Sequence, residues 1–390
     1  MKTRWSVGWE WLMAQRWLLP VLVAVGLVLA FAIEYNLFNN EYVREVMMYV
    51  GIPEYTLEYT LFNKYVQLVM MYVGINIILT VSLNLVNGYM GEFSLAHAGF
   101  MAVGAYTAAL LTQKVLPVAV YPGLFPLAVL AGGLMAALLG LIVAVPSFKV
   151  RGDYLAIITL AFLMIVKSVI ENIDTIGGPR GIPGIKKLTT LPWVFFWTVV
   201  SIWVVRNFVY SKYGRGVLSI REDEIASDLM SVNTRRVKFL AFMVSSFFAG
   251  VAGGLFAHLL QFISPRVFDI IKTTDVLIMV YLGGIASIGG SILGATVYTV
   301  LYEILRPSNF ADLVSWLPAV VLDPLNEYFI RHLGVGRMVI MPLLLVLVML
   351  YWPRGIMGLR EFRWFIPKRD LEAHHRQPAH GGSHGAAHGH

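Results

Sequence analysis

Residues 65–86 read YVQLVMMYVGINIILTVSLNLV, a run with no charged side chain. About 20 apolar residues in a helix suffice to cross the hydrocarbon of a bilayer, so this stretch reads as a membrane span. Working outward, comparable runs lie at Trp17–Ile33, Ala98–Gln113, Leu124–Pro146, Tyr154–Ile170, Leu191–Tyr210, Lys238–Phe262 and Arg337–Trp352, with a longer one at Asp275–Leu305. The composition agrees. Hydrophobic residues make up 58% of the 390 and charged ones 14%, and mean hydropathy is +0.70. Soluble domains carry about a quarter charged residues, so most of this chain faces something other than water. The expected fold is an all-α polytopic membrane protein. The absence of Cys excludes disulfides, thiolate metal sites and cysteine catalysis. Charge precedes the apolar part of Met1–Ile33 but no small-residue cleavage site follows, so it reads as a retained span, not a signal peptide.

Topology follows from the basic residues. They cluster at Lys2/Arg4/Arg16, Lys149/Arg151, Lys212/Arg215/Arg221/Arg235/Arg236/Lys238 and Arg354/Arg360/Arg363/Lys368/Arg369. The positive-inside rule puts all four clusters in the cytoplasm. An even number of crossings must separate the third from the fourth. Gly283-Gly284 and Gly289-Gly290 interrupt Asp275–Leu305, and two short spans, Asp275–Ser287 and Ser291–Leu305, restore the parity. The expectation is about ten segments with both termini cytoplasmic, against which Arg180, Lys186 and Lys187 stand outside. The net charge of +7 then reads as membrane orientation and not as a nucleic-acid surface. Five regions result. Residues 1–64 hold the first span and an external loop with a local duplication, in which Met47–Ile52 recurs as Met70–Ile75. The core is 65–305 with a cytoplasmic loop at 211–237; 306–336 is an external insert, 337–353 the last span and 354–390 a cytoplasmic, His-rich, disordered tail.

The cytoplasmic loop is the most informative segment. Ser219 and Glu222 form a capping box, which predicts a helix from near Ile220. Glu222, Asp223 and Glu224 suit its positive end. Ile225, Leu229 and Val232 share one face, with Met230 beside them. Asn233 in the left-handed region is expected to end the helix and Thr234 to cap the next. So short a helix is marginal alone and needs a partner surface. Its acidic start disfavours an interfacial helix lying on lipid, which usually carries Lys/Arg.

Gly214-Arg215-Gly216 through Ile220-Arg221-Glu222-Asp223-Glu224-Ile225-Ala226, then Asn233-Thr234 and Leu240–Gly254, resembles the branched-chain amino acid (LivH/LivM) permease family, the LivM side in particular. Three further segments carry the resemblance: Asn87–Phe100 with Gly104-Ala105-Tyr106; Arg151–Tyr154 with Gly177–Ile182; and Gly283-Gly284, Gly289–Ser291 and Gly294-Ala295. It covers roughly 76–304 plus the final span. Family members commonly have Gln at the position of Glu92 and Gly at that of Ala96. The resemblance implies that the loop is a coupling helix inserted into an ATPase subunit, with Arg215, Ile220, Arg221, Glu222, Asp223, Glu224, Ile225, Ala226 and Leu229 at the contact. It further implies a second permease subunit in a heterodimer, two cytoplasmic ATPases, an external solute-binding protein and a multi-pass location in a prokaryotic plasma (inner) membrane.

Candidates for the translocation path or gate are Asn76, Thr80, Asn84, Gly88, Gly91, Glu92, Ser94 and His97. Gly88 and Gly91 break helix continuity at or near membrane depth, where irregular backbone is tolerated only inside protein or beside a watery cavity. Asn76, Thr80 and Asn84 form a polar stripe with Asn87, suited also to interhelical hydrogen bonds. Lys167 and Glu171, four apart, read as an ion pair, and His258 and Gln261 as residues meeting the outer interface. Gly177-Gly178-Pro179 reads as a turn or as part of an external mouth. Without a phosphate-loop motif, ATP binding must come from another chain, and neither H-E-x-x-H nor G-x-S-x-G occurs. The repeated imidazoles of the tail could bind divalent metals but read as an unselected polar tail. No cofactor or metal is expected. The function implied is a permease subunit of an ATP-driven importer for branched-chain or related amino acids. Urea or amides are the alternative cargo; a stand-alone carrier or intramembrane enzyme is a weaker reading.

Overall fold

The computed structural model describes residues 64–115, 122–147, 154–230 and 232–306, with 26–27, 342–343, 346–348, 350–351, 355–358 and 361. The first span, the last span, the insert 306–336 and the His-rich tail lie outside the described residues but for isolated positions. So does the first copy of the duplication.

The described residues are helical, joined by turns and one isolated bridge between Ile182 and Ile263. In order they form α1 (Lys64–Asn84), α2 (His97–Leu110), α3 (Phe125–Ser147), α4 (Tyr154–Asn172), α5 (Leu191–Val209), α6 (Lys212–Glu222), α7 (Glu224–Leu229), α8 (Thr234–Leu260), α9 (Ile270–Gly283) and α10 (Ile288–Ile304). Among them, five helices are long and apolar enough to cross a membrane: α1 with its extension to Tyr89, α3, α4, α5 and α8. In the interior of such segments the backbone donors and acceptors pair within the helix, which is what makes such a sequence stable in lipid.

Among the described residues α8, at 27 residues, is the longest helix and the centre of the bundle. It runs parallel to α2 and antiparallel to α3. The three approach so closely that side chains would not fit: a Cβ on Gly104 would lie 2.1 Å from the Gly250 carbonyl oxygen, and one on Gly253 would lie 2.0 Å from that of Met101. Packing of this kind, between small residues, holds helices together where lipid removes the usual hydrophobic drive. Phe100, Phe242 and Phe248 fill the adjoining core.

Asp275–Leu305 divides into two helices, as the glycines suggest, but at different boundaries. Asp269 starts α9 early by accepting from the Ile270 amide at 2.7 Å, and Ser287 caps α10 by accepting from the Gly290 amide at 2.9 Å. With 14 and 17 residues, α9 and α10 span about 21 and 26 Å, each short of a full hydrocarbon thickness. They pack as a hairpin, with Gly283 against the Gly290 carbonyl and Gly294 against that of Met279.

The loop after the second run also differs from expectation. Gly88 does not break the helix, because α1 continues as a π-turn over Leu85–Tyr89. The break comes at 90–96, where Gly91 takes φ +75°. A larger residue at the α2–α8 contact should be poorly tolerated. Gly104→Val is expected to lower the melting temperature of the purified chain sharply, by an overpacking cost of about 1–3 kcal/mol or loss of folded protein, whereas Gly123→Ala, whose Cβ meets nothing within 4 Å, leaves it unchanged.

Candidate functional site

Two groups of charged residues stand out in this apolar chain, at opposite ends of α8. The first is built on Lys238, in the opening turns of α8, whose side chain is 5% exposed. Its ammonium bonds to Glu92 Oε1 at 2.6 Å and to Glu224 Oε1 at 2.9 Å. Glu92 belongs to the bend after α1, and Glu224 opens α7. One ammonium therefore ties three segments together, and a buried cation with two anionic acceptors is the arrangement that offsets its desolvation.

The loop at 211–237 forms two helices instead of the single one expected from Ile220. Ser211 caps α6 by accepting from the Tyr213 and Gly214 amides. The capping box at Ser219 does not operate: its hydroxyl donates back to the Gly216 carbonyl at 2.9 Å, inside an existing helix. Asp223 breaks the run with extended φ/ψ and caps α7, accepting from Ile225 N at 2.8 Å and Ala226 N at 3.0 Å. Asn233 is not left-handed; it caps α8 through Arg236 N, while Thr234 donates to Asp228 Oδ1. Of the nine residues expected at a partner contact, Ile220 is buried in the protein, Arg221 lies partly buried over Gly91, and Glu224 is partly buried on Lys238. Arg215, Glu222, Asp223, Ile225, Ala226 and Leu229 are exposed. Leu229 and Met230 are 81% and 79% exposed, so this end presents apolar side chains with nothing on them.

The path or gate candidates separate. Asn76 donates to Thr299 Oγ1 at 2.8 Å, and Asn84 donates to Ser287 O and Ser291 Oγ and accepts from Ala286 N, all across to α10 or its preceding turn. Thr80 donates to the Asn76 carbonyl. Ser94 and His97 are buried, the imidazole 2.9 Å from Ser82 Oγ. Lys167 pairs with Asp269 at 2.6 Å and not with Glu171, because α4 leans against the start of α9. His258 is not interfacial: it is fully buried, with Thr112 Oγ1 and the Gly254 carbonyl each at 2.9 Å. Gln261 is exposed and ends α8 at φ +63°. Gly177 and Gly178 sit in tight turns of positive φ, just before Ile182 bridges to Ile263.

The second charged group lines a cavity of about 700 Å³ between α1, α8, α9 and α10, toward the far end of α8 from Lys238. Asn76 is the one path candidate on its wall. Lys272, Asp275, Tyr298 and Glu303 line it too, and sequence reading passed over them. Their signal was present: Lys272 and Asp275 are charges one helical turn apart beside an apolar run.

A bundle of apolar helices long enough to cross a membrane, with irregular backbone at one end and a cavity carrying charged groups at the other, has the make-up of a membrane transport protein. The chain belongs to the family of branched-chain amino acid transport system permease components, whose profile matches residues 65–322. This is a family of permeases and not of enzymes. The chain is 34% identical over 319 residues to the high-affinity branched-chain amino acid transport system permease protein LivM of Escherichia coli, covering 73% of this chain and 68% of that one. It is 28% identical over 206 residues to the guanosine ABC transporter permease protein NupQ of Bacillus subtilis, covering 46% and 63%. LivH of Salmonella typhimurium matches at 28% over 152 residues, 38% and 41% of the two chains. No solved structure matches.

Two predictions follow from the ion pairs. Lys238→Met strands two carboxylates and should cost about 2 kcal/mol, between the values for exposed and buried pairs, while Glu92→Gln, which keeps an acceptor for Lys238, costs less; thermal melting of the purified chain reads both. The hydrogen bond from Lys167 holds the Asp269 carboxyl below its ordinary 3.8. A lowered carboxylate pKa contributes stability that is complete above the ordinary value and is lost as pH falls through the folded one. Asp269→Asn should therefore flatten the acid limb of the stability curve below about pH 4.

Proposed function

We propose that this chain is a membrane-spanning permease subunit of an ATP-driven importer of branched-chain amino acids. It would cross a prokaryotic plasma membrane ten times with both termini cytoplasmic. Its partners would be a second, related permease, two cytoplasmic ATPases and an external solute-binding protein. The observation that carries this reading is the helix pair α6 and α7: Ile225 and Leu229 of α7 and its C-cap Met230 are exposed, while Glu224 at its start is anchored to Lys238. An exposed apolar surface on a fixed, capped helix is suited to a partner's cleft. Asp223, as its N-cap, keeps the helix formed before docking, which lowers the ordering cost of binding.

The mechanism then follows from the contacts. When the ATPases close on ATP, α6 and α7 move with them. Glu224 pulls on Lys238, and Lys238 holds Glu92 in the bend after α1. Arg221 lies against Gly91 in the same bend. The bend would act as the inner gate, and the cavity between α1, α9 and α10 as the outer part of the path. For the cargo, the fuller match to the branched-chain permease than to the guanosine permease supports an amino acid.

The test is a charge on the docking face. Ala226→Glu is expected to leave the chain folded, abolish co-purification of the ATPase and reduce leucine uptake at least about tenfold, as burying an unpaired charge would. Unchanged co-purification together with unchanged uptake would sink the docking assignment. A single cysteine at Ser315 should react only with reagent added outside; labelling only from the cytoplasm would overturn the ten-span topology.

A further inference from the structure

We propose that the cavity between α1, α8, α9 and α10 is a transit subsite for a zwitterionic α-amino acid, with Lys272 receiving the carboxylate and Asp275 the ammonium. The proposal rests on the transport reading above and adds the site and the chemistry that recognises the cargo.

The charges in the cavity wall are not alike. Asp269 is satisfied by Lys167, and Glu303 accepts from Tyr65 and from Arg306. Lys272 is different, as is the exposed Arg266, which likewise has no ion pair among the described residues. Among the described residues no carboxylate lies within ion-pair distance of the Lys272 ammonium, which stands 5.6 Å from the centroid of the Phe256 ring. A cation over an aromatic face keeps part of its stabilisation without an anion, and so remains free to take one from a ligand. Asp275 is one turn further along the same helix and also lines the cavity. Its Oδ1 accepts from the Tyr298 hydroxyl at 2.5 Å, which fixes the carboxylate and leaves Oδ2 for a donor. Residues three apart on a helix are neighbours, about 5–6 Å between Cβ atoms. An α-amino acid carries both its charges on one carbon and suits a pair of that spacing.

The rest of the wall suits an aliphatic side chain. Leu68, Val69, Tyr72, Val267 and Ile271 supply apolar surface around the two charges. Charges inside a membrane protein are costly and normally face a bundle interior or a watery cavity. Among the described residues Lys272 has no ion-pair contact and Asp275 only the Tyr298 hydrogen bond, so both keep capacity for a ligand. A neutral nucleoside would bring neither an anion for Lys272 nor a cation for Asp275, so the charge pattern favours a zwitterion over that cargo.

The chain has no cysteine, so a single thiol reports on the cavity. Val69→Cys, on the α1 side, is labelled with a membrane-impermeant thiol reagent in right-side-out vesicles, prepared from cells producing the full chain with its transporter partners. L-leucine at about 10 mM, enough for a weak transit site, is expected to slow labelling at least about fivefold. Isoamylamine, which lacks the carboxylate, 4-methylvalerate, which lacks the ammonium, and guanosine should each leave the rate unchanged. In the Val69→Cys background, Lys272→Met should remove the protection by leucine and Lys272→Arg should restore it, which separates charge recognition from misfolding. Asp275→Asn should likewise remove it. Equal protection by isoamylamine, or full protection by leucine in the Lys272→Met chain, overturns the subsite. Absence of any protection in vesicles that take up leucine only when the chain is present overturns the subsite and leaves the transport reading standing. Leucine uptake that is the same without the chain overturns the transport reading and the subsite with it.

Discussion

The side-chain amide of Asn84 holds the part of the molecule where helix gives out. The turn between α9 and α10, Gly284–Ser287, lies against the end of α1 and within the bundle. Its peptide groups must find partners there, because an unsatisfied group in a membrane interior costs several kcal/mol. Asn84 supplies three contacts at once: it accepts from Ala286 N at 3.0 Å and donates to Ser287 O at 2.9 Å and to Ser291 Oγ at 2.7 Å. Glu361 completes the work from below, accepting from the Ile288 and Gly289 amides at the positive end of α10. Gly88 leaves the necessary room, since a Cβ there would lie 1.8 Å from Asn84 Oδ1 and 2.6 Å from Ala286 N. With the turn fixed on α1, the lengths of α9 and α10 determine where their far ends stand, and so where the cavity opens.

Charge is used in two contrasting ways in a chain with so little of it. Lys238 is nearly buried and saturated by Glu92 and Glu224, an arrangement that holds three segments in one geometry. Removing one partner of such a group is costly because the remaining charge cannot easily return to water. Lys272 and Asp275 lie at the other end, each with one weak or partial partner inside the protein. The first group is closed within the protein, while the second keeps capacity for a further partner.

The helical fold and the broken hairpin were legible because both depend on patterns local in sequence. Hydropathy runs mark the long helices, and the glycine pairs at 283–284 and 289–290 mark where α9 and α10 must touch. What escaped the sequence depended on distant partners. Ser219-x-x-Glu222 satisfies the capping-box pattern, yet a helix begun earlier at Ser211 already occupies the segment, and Asp223 is the better cap. Lys167 has Glu171 within reach, but Asp269, far along the chain, offers a shorter bond. His258 at the end of an apolar run reads as interfacial until Thr112 is seen beside it. Lys238 counted only as one of many cytoplasmic cations, and nothing local announces that Glu92 and Glu224 converge on it.

The bend at 90–96 is where the two halves of the molecule meet. Above it, α1 is bonded to α10 at Asn76–Thr299 and at Asn84–Ser291, so the wall of the cavity moves with α1. Below it, Arg221 presses on Gly91 and Lys238 holds Glu92, so the bend moves with α6 and α7. A chain of contacts alone does not transmit a signal; some element in it must have two arrangements. Helices packed through glycine on carbonyl oxygen, as α2 and α8 are, have no room for a second one. The bend, non-helical between a π-turn and α2, is held instead by single hydrogen bonds to Asn87 and Thr159 and by the Glu92–Lys238 pair. The contacts from α6 and α7 thus end on residues 90–96, and a bonded route from there to the cavity wall runs through the end of α1, where Asn84 binds the hairpin turn.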